Sequence, residues 1–173
     1  MIFGQTITYR VYKDAKNYLG MSTVDMPEIS FMTETISGSG IAGEMEVPAI
    51  GMTGPLSATV NWISQCPGFF DLMDTSTSAN LEFRASLQLE DETTGLRSTR
   101  SLRIAMLTKP KTISLGSLET AKQQGGSSEY ELSRLLVEYN GKEVLLIDKL
   151  AFIYRVNGKD MLAKVRADIG MEF

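Results

Sequence analysis

Strict alternation of apolar and polar side chains over residues 56–62, Leu-Ser-Ala-Thr-Val-Asn-Trp, restricts this chain more than any other feature. Successive side chains of a strand point to opposite faces, so every even position here falls on one face and the pattern predicts a half-buried strand. The same period recurs over 81–89, Leu-Glu-Phe-Arg-Ala-Ser-Leu-Gln-Leu, and more weakly over 7–11. Turn-forming residues at 91–95 predict a hairpin between 81–90 and 98–108. A second hairpin is expected to join 132–139 to 142–148 through Asn140-Gly141, which supplies the two positive φ angles of a type I′ turn. Helical signals are short. Pro67 can open about two turns with Phe69, Phe70 and Met73 on one face. Asp160 can cap a segment with Met161, Leu162, Val165 and Ile169 at helical spacing, ended by Gly170. The expected fold is mainly β, an antiparallel sandwich or partly open barrel with one or two short helices.

With 173 residues, 43% hydrophobic and 22% charged, the chain suits a single soluble domain spanning 1–173. No apolar run approaches the roughly 20 residues that span a bilayer. The opening residues lack a basic segment followed by an apolar one, so no export signal is expected. The single cysteine, Cys66, has no partner for an internal disulfide, and burial as a small apolar residue is its expected role. Net charge is −4, unevenly spread: from Asn17 to Phe83 there is no Lys or Arg, but eight acids occur. A surface built from that block would repel nucleic-acid phosphates rather than hold them.

The absence of histidine excludes Ser-His and Cys-His catalysis and most zinc, copper and non-haem iron sites. The densest acidic cluster, Glu90-Asp91-Glu92, falls on an expected hairpin tip, where neighbouring acids are ordinarily solvated. Residues 38–43, Gly-Ser-Gly-Ile-Ala-Gly, match the dinucleotide-binding fingerprint letter for letter. That fingerprint works between a strand and a helix, whereas here an alternating stretch broken by Pro48 and Gly51 follows, so an extended hairpin loop is expected instead. Tyr9, Arg10, Tyr12 and Lys13 interleave bases with aromatics, but on an amphipathic strand they read as a solvated face. No catalytic, cofactor-binding or metal-ligating residue is assigned, and the chain is not expected to be an enzyme. Two stretches sit badly in a compact core. Residues 37–51 carry four glycines and a proline and make a long connection for so small a domain; 119–128 read as a mobile polar loop.

The C-terminal run carries the most specific signature: Tyr139-Asn140-Gly141-Lys142-Glu143-Val144, Ile147-Asp148, Val156-Asn157-Gly158-Lys159-Asp160-Met161-Leu162, Arg166 and Ile169-Gly170. A looser one lies in Met26-Pro27-Glu28-Ile29, Glu34 and Gly40-Ile41-Ala42-Gly43 leading to Ile50-Gly51-Met52. In these residues the chain resembles the major tail tube proteins of contractile-tailed phages, relatives of the R-type bacteriocin tubes. The resemblance implies a β subunit that forms hexameric rings stacked into a tube, with DNA as passing cargo and no specific DNA binding. It further implies sheath, tape measure, baseplate and tail terminator proteins as partners, and a place in the virion after assembly in the bacterial cytoplasm. It assigns the long segment at 37–51 to contact between rings, through Gly38, Gly40, Gly43, Glu44, Glu46, Pro48 and Gly51. Asp25, Glu28 and Glu34 are the acids expected to face the lumen, where like charge would let DNA slide. A secretion tube of the type VI kind is the alternative within the same architecture. A monomeric small-ligand-binding β-barrel with a sealed apolar cavity is the alternative outside it.

Overall fold

The computed structural model describes residues 2–20 and 22–171. Its strands, in chain order, are β1 (Ile2–Lys13), β2 (Asn17–Tyr18), β3 (Ser22–Asp25), β4 (Phe31–Ser37), β5 (Glu44–Thr53) and β6 (Ser57–Trp62). After helix α1 (Pro67–Asp71) come β7 (Ala79–Asp91), β8 (Arg97–Ser114), β9 (Ser127–Tyr139), β10 (Lys142–Asp148), β11 (Ile153–Val156), β12 (Lys159–Asp160) and helix α2 (Ala163–Asp168). The predicted hairpins form as expected, β7 with β8 and β9 with β10. Asn140 and Gly141 take φ of 49° and 77°, the left-handed pair that the turn requires.

One antiparallel sheet runs β12-β11-β10-β9-β8-β7-β1-β2. It forks at β9, because that strand is long enough to serve two neighbours along one edge. Residues 127–131 of β9 pair with β6, and 134–139 pair with β10. Beyond β6 lies β3. The β6–β3 branch turns over the face of the long strands and encloses the core, which draws Val11, Phe83 and Met106 from the main sheet and Val60 and Trp62 from β6. Phe69 and Leu72 seal one end from α1 and the residue that follows it. The Trp62 and Phe69 rings form a T-shaped pair with centroids 5.8 Å apart, and the indole N–H donates to Ser128 Oγ at 3.0 Å. No ladder joins β1 to β3; the Tyr9 hydroxyl donates to the Ser22 carbonyl across the gap, so the sheet is curled but not closed into a barrel.

Three local details differ from expectation. Asp160 does not cap α2: the cap is Leu162, while Asp160 ends β12, accepts the Leu162 N–H at 3.0 Å and pairs with Arg166 at 2.7 Å. The segment 119–128 is only partly a free loop. Gly126 receives the Trp62 N–H at 2.8 Å, and the Gln124 side chain donates to Gln65 Oε1 at 3.1 Å, which ties the end of the loop to the strand beneath it. The long segment at 37–51 is not irregular either: only 38–43 is a connection, and the rest is strand.

Candidate functional site

β4 and β5 form a two-stranded sheet of their own that no other strand extends among the described residues. Cross-strand partners on an antiparallel pair share a face. Thr33, Thr35 and Ser37 therefore lie with Pro48, Glu46 and Glu44 on a polar face. Glu34 and Ile36 lie with Val47 and Met45 on the other, which Met32 joins by alternation. Nothing among the described residues covers either face: every residue from Phe31 to Ile50 is exposed, with Ile50 at 73%. An isolated two-stranded hairpin is marginal in water, and here no layer supports it. Pro48 is tolerated because β5 is an edge strand, where a missing N–H breaks no second ladder. The tip closes through Ile41 N–H to the Gly38 carbonyl at 3.1 Å, with Gly40 and Gly43 at φ of 100° and 112°. The apparent dinucleotide fingerprint is thus the turn of this hairpin, with no helix behind it.

Its base is fixed where its tip is not. The Phe31 ring meets the Tyr154 ring edge-on at 5.7 Å, and the Gly54 N–H donates to the Ser30 carbonyl at 2.9 Å. Gly51 lies against Leu162 with φ of 66°, and a Cβ there would come within 2.7 Å of the leucine Cγ, so only glycine lets β5 pass this close.

A second unfinished surface is the outer edge of β1. β7 pairs with its inner side along the whole strand, but β2 reaches only Tyr12 and Lys13 on the outer side. Among the described residues, no strand pairs with that edge over 2–11. A bulge at Ile7 interrupts the register, and that side chain is about half exposed. Proteins ordinarily blunt such an edge; this one is long and open.

Of the expected lumen acids, Asp25 and Glu28 come together on one shallow opening beside Ser57 and Thr59, with Asp25 accepting from Asn61 Nδ2 at 3.3 Å. Glu34 is separate, on the apolar face of the hairpin. Other polar groups are spent within the chain. Glu82, fully buried, accepts from Arg84 Nε and from Arg103 at 2.9 Å, and Arg103 reaches Glu138 at 2.9 Å. Its hydrogen bond from Arg103 chiefly holds the Glu82 carboxyl below the usual range, against burial, which would raise it. The reason lies in the register: Arg10, Arg84 and Arg103 stand directly opposite one another across three strands, and a buried carboxylate relieves their repulsion. Sequence reasoning missed this residue, since Glu82 fits the polar phase of its strand like any solvated acid.

Asp91, in the acidic cluster, closes its own turn by accepting from the N–H groups of Thr93 and Thr94 at 2.8 and 3.0 Å. Glu90 pairs with Arg97 at 2.9 Å. The interleaved bases and aromatics of β1 stack locally: Arg84 lies over Tyr12 at 4.7 Å and Arg10 over Tyr18 at 5.5 Å. Cys66 is half-buried and donates to the Leu19 carbonyl at 3.1 Å. Among the described residues no cluster of three metal-ligating side chains occurs, and no helix is long and apolar enough to cross a membrane. The clefts are open grooves; the one behind the hairpin base, between Gly51, Ile147 and Leu162, measures about 140 Å³.

The model of a family described as "Phage tail tube protein FII" matches residues 6–170. None of the curated proteins compared matches the chain. The fold is similar to a chain of the sheath–tube complex of an extracellular contractile injection system, PVC, in its extended state. That likeness has a TM-score of 0.50 at 11% identity and covers 75% of this chain and 87% of the other. A chain of the PVC sheath/tube terminator structure gives a TM-score of 0.51 at 11% identity, covering 76% of this chain and 94% of the other.

Proposed function

This chain belongs to the phage tail tube protein FII family and is a structural subunit of a tail tube, and from that premise we propose how its copies join. The β4–β5 hairpin reaches into the next ring of the stack, through the turn glycines Gly38, Gly40 and Gly43, the acids Glu44 and Glu46, Pro48, and the pivot Gly51. The single observation that carries this reading is a well-formed amphipathic hairpin whose apolar face has no partner among the described residues. The open edge of β1 takes a strand from the neighbour within a ring, and rotation closes the ring, six subunits in the reading the resemblance supports.

On the same reading the whole chain acts as one domain without catalytic activity. Asp25 and Glu28 face the lumen, past which DNA slides without specific contact. The partners are further copies of this chain, a sheath, a tape measure protein, a baseplate and a terminator, and the finished tube is part of the virion after assembly in the host cytoplasm. Both fold neighbours come from assemblies that contain a sheath, which favours the sheath as the nearest outer partner.

The test removes the hairpin without disturbing its base. Thr33 and Pro48 are cross-strand partners, so replacing residues 34–47 by Asn-Gly joins them through a tight turn. The expected product melts like the natural protein and sediments as single subunits or isolated rings, while the natural protein forms tubes by negative-stain microscopy. Tubes of natural length from the shortened chain would overturn the stacking role.

A further inference from the structure

We infer that the apolar face of the hairpin docks on the uncovered inner face of the β7–β8 arm of another copy, with Glu34 meeting Arg100. The inference rests on the stacking reading above and adds the acceptor to it.

The acceptor comes from a second gap in the fold. The face of β7 and β8 that carries Phe83, Ile104 and Met106 is covered by the β6–β3 branch and forms the core. Beyond it the two strands run on toward their turn, and the same face continues through Ala85 opposite Leu102, Leu87 opposite Arg100, and Leu89 opposite Ser98. Those apolar residues are half-buried and lie outside the core cluster. Where the covering branch stops, between Val24 and Met26 on one side and Ala85 and Leu102 on the other, a groove of about 400 Å³ opens. Uncovered among the described residues, this face is therefore continuous with the core and apolar, with one exposed base at its far end.

The hairpin offers the opposite. Its apolar face is Met32, Ile36, Met45 and Val47 around one acid, Glu34, which has no ion pair or hydrogen bond from its carboxylate among the described residues. Arg100 likewise has no acid partner there; its only bond goes to the carbonyl of its neighbour Thr99, at 3.3 Å. The two other arginines of β8 are already committed, Arg97 to Glu90 and Arg103 to Glu82 and Glu138. Charge on a wider scale agrees: residues 93–118 hold five bases and no acid, against the acid-only 17–83. Each face buries apolar area by meeting the other, and each carries a single charge that desolvation would penalise unless the other supplied its partner. The paired residues Thr33 to Ser37 of β4 carry the tip about 17 Å from the base. Within one chain the hairpin base, held at Tyr154 and Leu162, lies beside the β10–β11 turn, whereas Arg100 lies at the other end of the strands, by the β9–β10 turn, so Glu34 is matched to Arg100 of another copy.

Reciprocal charge exchange tests this. Glu34→Arg and Arg100→Glu are prepared separately and together, and each is assayed by thermal melting and by tube length in negative stain. Both side chains are exposed, so all three variants should melt within a few degrees of the natural protein. Each single exchange should shorten tubes at least about tenfold, the scale of one mispaired interfacial charge, and the double exchange should restore most of the length. Natural-length tubes from the single variants, or no recovery in the double variant, would overturn the assignment while leaving hairpin stacking intact. Single subunits from the natural protein under every salt and nucleator tried would overturn the stacking reading, and this inference with it.

Discussion

β6 and the β4–β5 hairpin alternate apolar and polar side chains with the same period, yet their apolar residues meet opposite fates. In β6, Ala58, Val60 and Trp62 are sealed beneath a second layer, and strands flank it on both sides. In the hairpin, Met32, Ile36, Met45 and Val47 are exposed, with none of the described residues over them. Intrinsic strand preference does not separate the two; the number of layers does. Fully burying one such side chain is worth about 1.5–3 kcal/mol, so β6 spends that energy on folding, while on the proposed stacking role the hairpin keeps it for association. A tube subunit has to divide its apolar surface in this way, enough to fold alone and enough left over to stack.

Truncating β6 is the harshest way to probe that division. Trp62→Ala removes a nearly fully buried ring, its contact with Phe69 and its hydrogen bond to Ser128. The expected cost is about 3–5 kcal/mol, which for a chain of this size lowers the melting temperature by about 10 °C in calorimetry. A loss of under about 1 kcal/mol would mean that the β6 layer contributes to the fold no more than the hairpin does.

The contrast extends to charge. Glu82 is buried under two arginines, whereas Glu34, Glu44 and Glu46 have no partner within the described chain. Glu82→Gln should cost about 2–3 kcal/mol at neutral pH, and Glu34→Gln close to nothing. The sign of the pH dependence follows from the lowered Glu82 carboxyl. Its ordinary value is 4.5, and its folded value lies below that, so its contribution is complete above about 4.5 and is lost as pH falls through the folded value. Urea titrations should therefore show the gap between natural protein and Glu82→Gln narrowing from pH 6 toward pH 3. A gap independent of pH would mean that the carboxylate is not what holds Arg84 and Arg103.

Where local chemistry decided the outcome, the fold was legible from sequence. Asn140-Gly141 set its turn, Pro67 opened α1, and the alternation at 56–62 marked its buried face, whereas that at 81–89 did so only at Leu81 and Phe83 and hid the burial of Glu82. The pairing of β6 with β9 was not legible, because residues some seventy positions apart carry no mutual signal in a single sequence. The segment 37–51 misled for a physical reason. Gly38, Gly40 and Gly43 belong to a turn, but Gly51 is glycine to clear Leu162 and Pro48 sits in an edge strand, so punctuation that ordinarily marks a loop here lies inside a hairpin. Of the candidate site, the segment itself and its acids were visible. The open β1 edge and the uncovered β7–β8 face were not, since an absent neighbour leaves no trace in composition.

The mildest change to stability should be the most damaging to assembly. Ile36 and Met45 are cross-strand partners on the hairpin, 37% and 50% exposed, and neither touches the core. Changing both to serine removes apolar area that lies outside the core, so stability should move by no more than an exposed substitution allows, about 0.5 kcal/mol. In a stacked tube those two side chains are repeated in every subunit of every ring, and losing their burial at each contact leaves no compensating site along the stack. Sedimentation of the double variant should then show subunits or short ring assemblies where the natural protein pellets as tubes. If the variant instead melted far earlier, the hairpin would be part of the fold after all, and its exposed face would have to be explained by something other than a waiting partner.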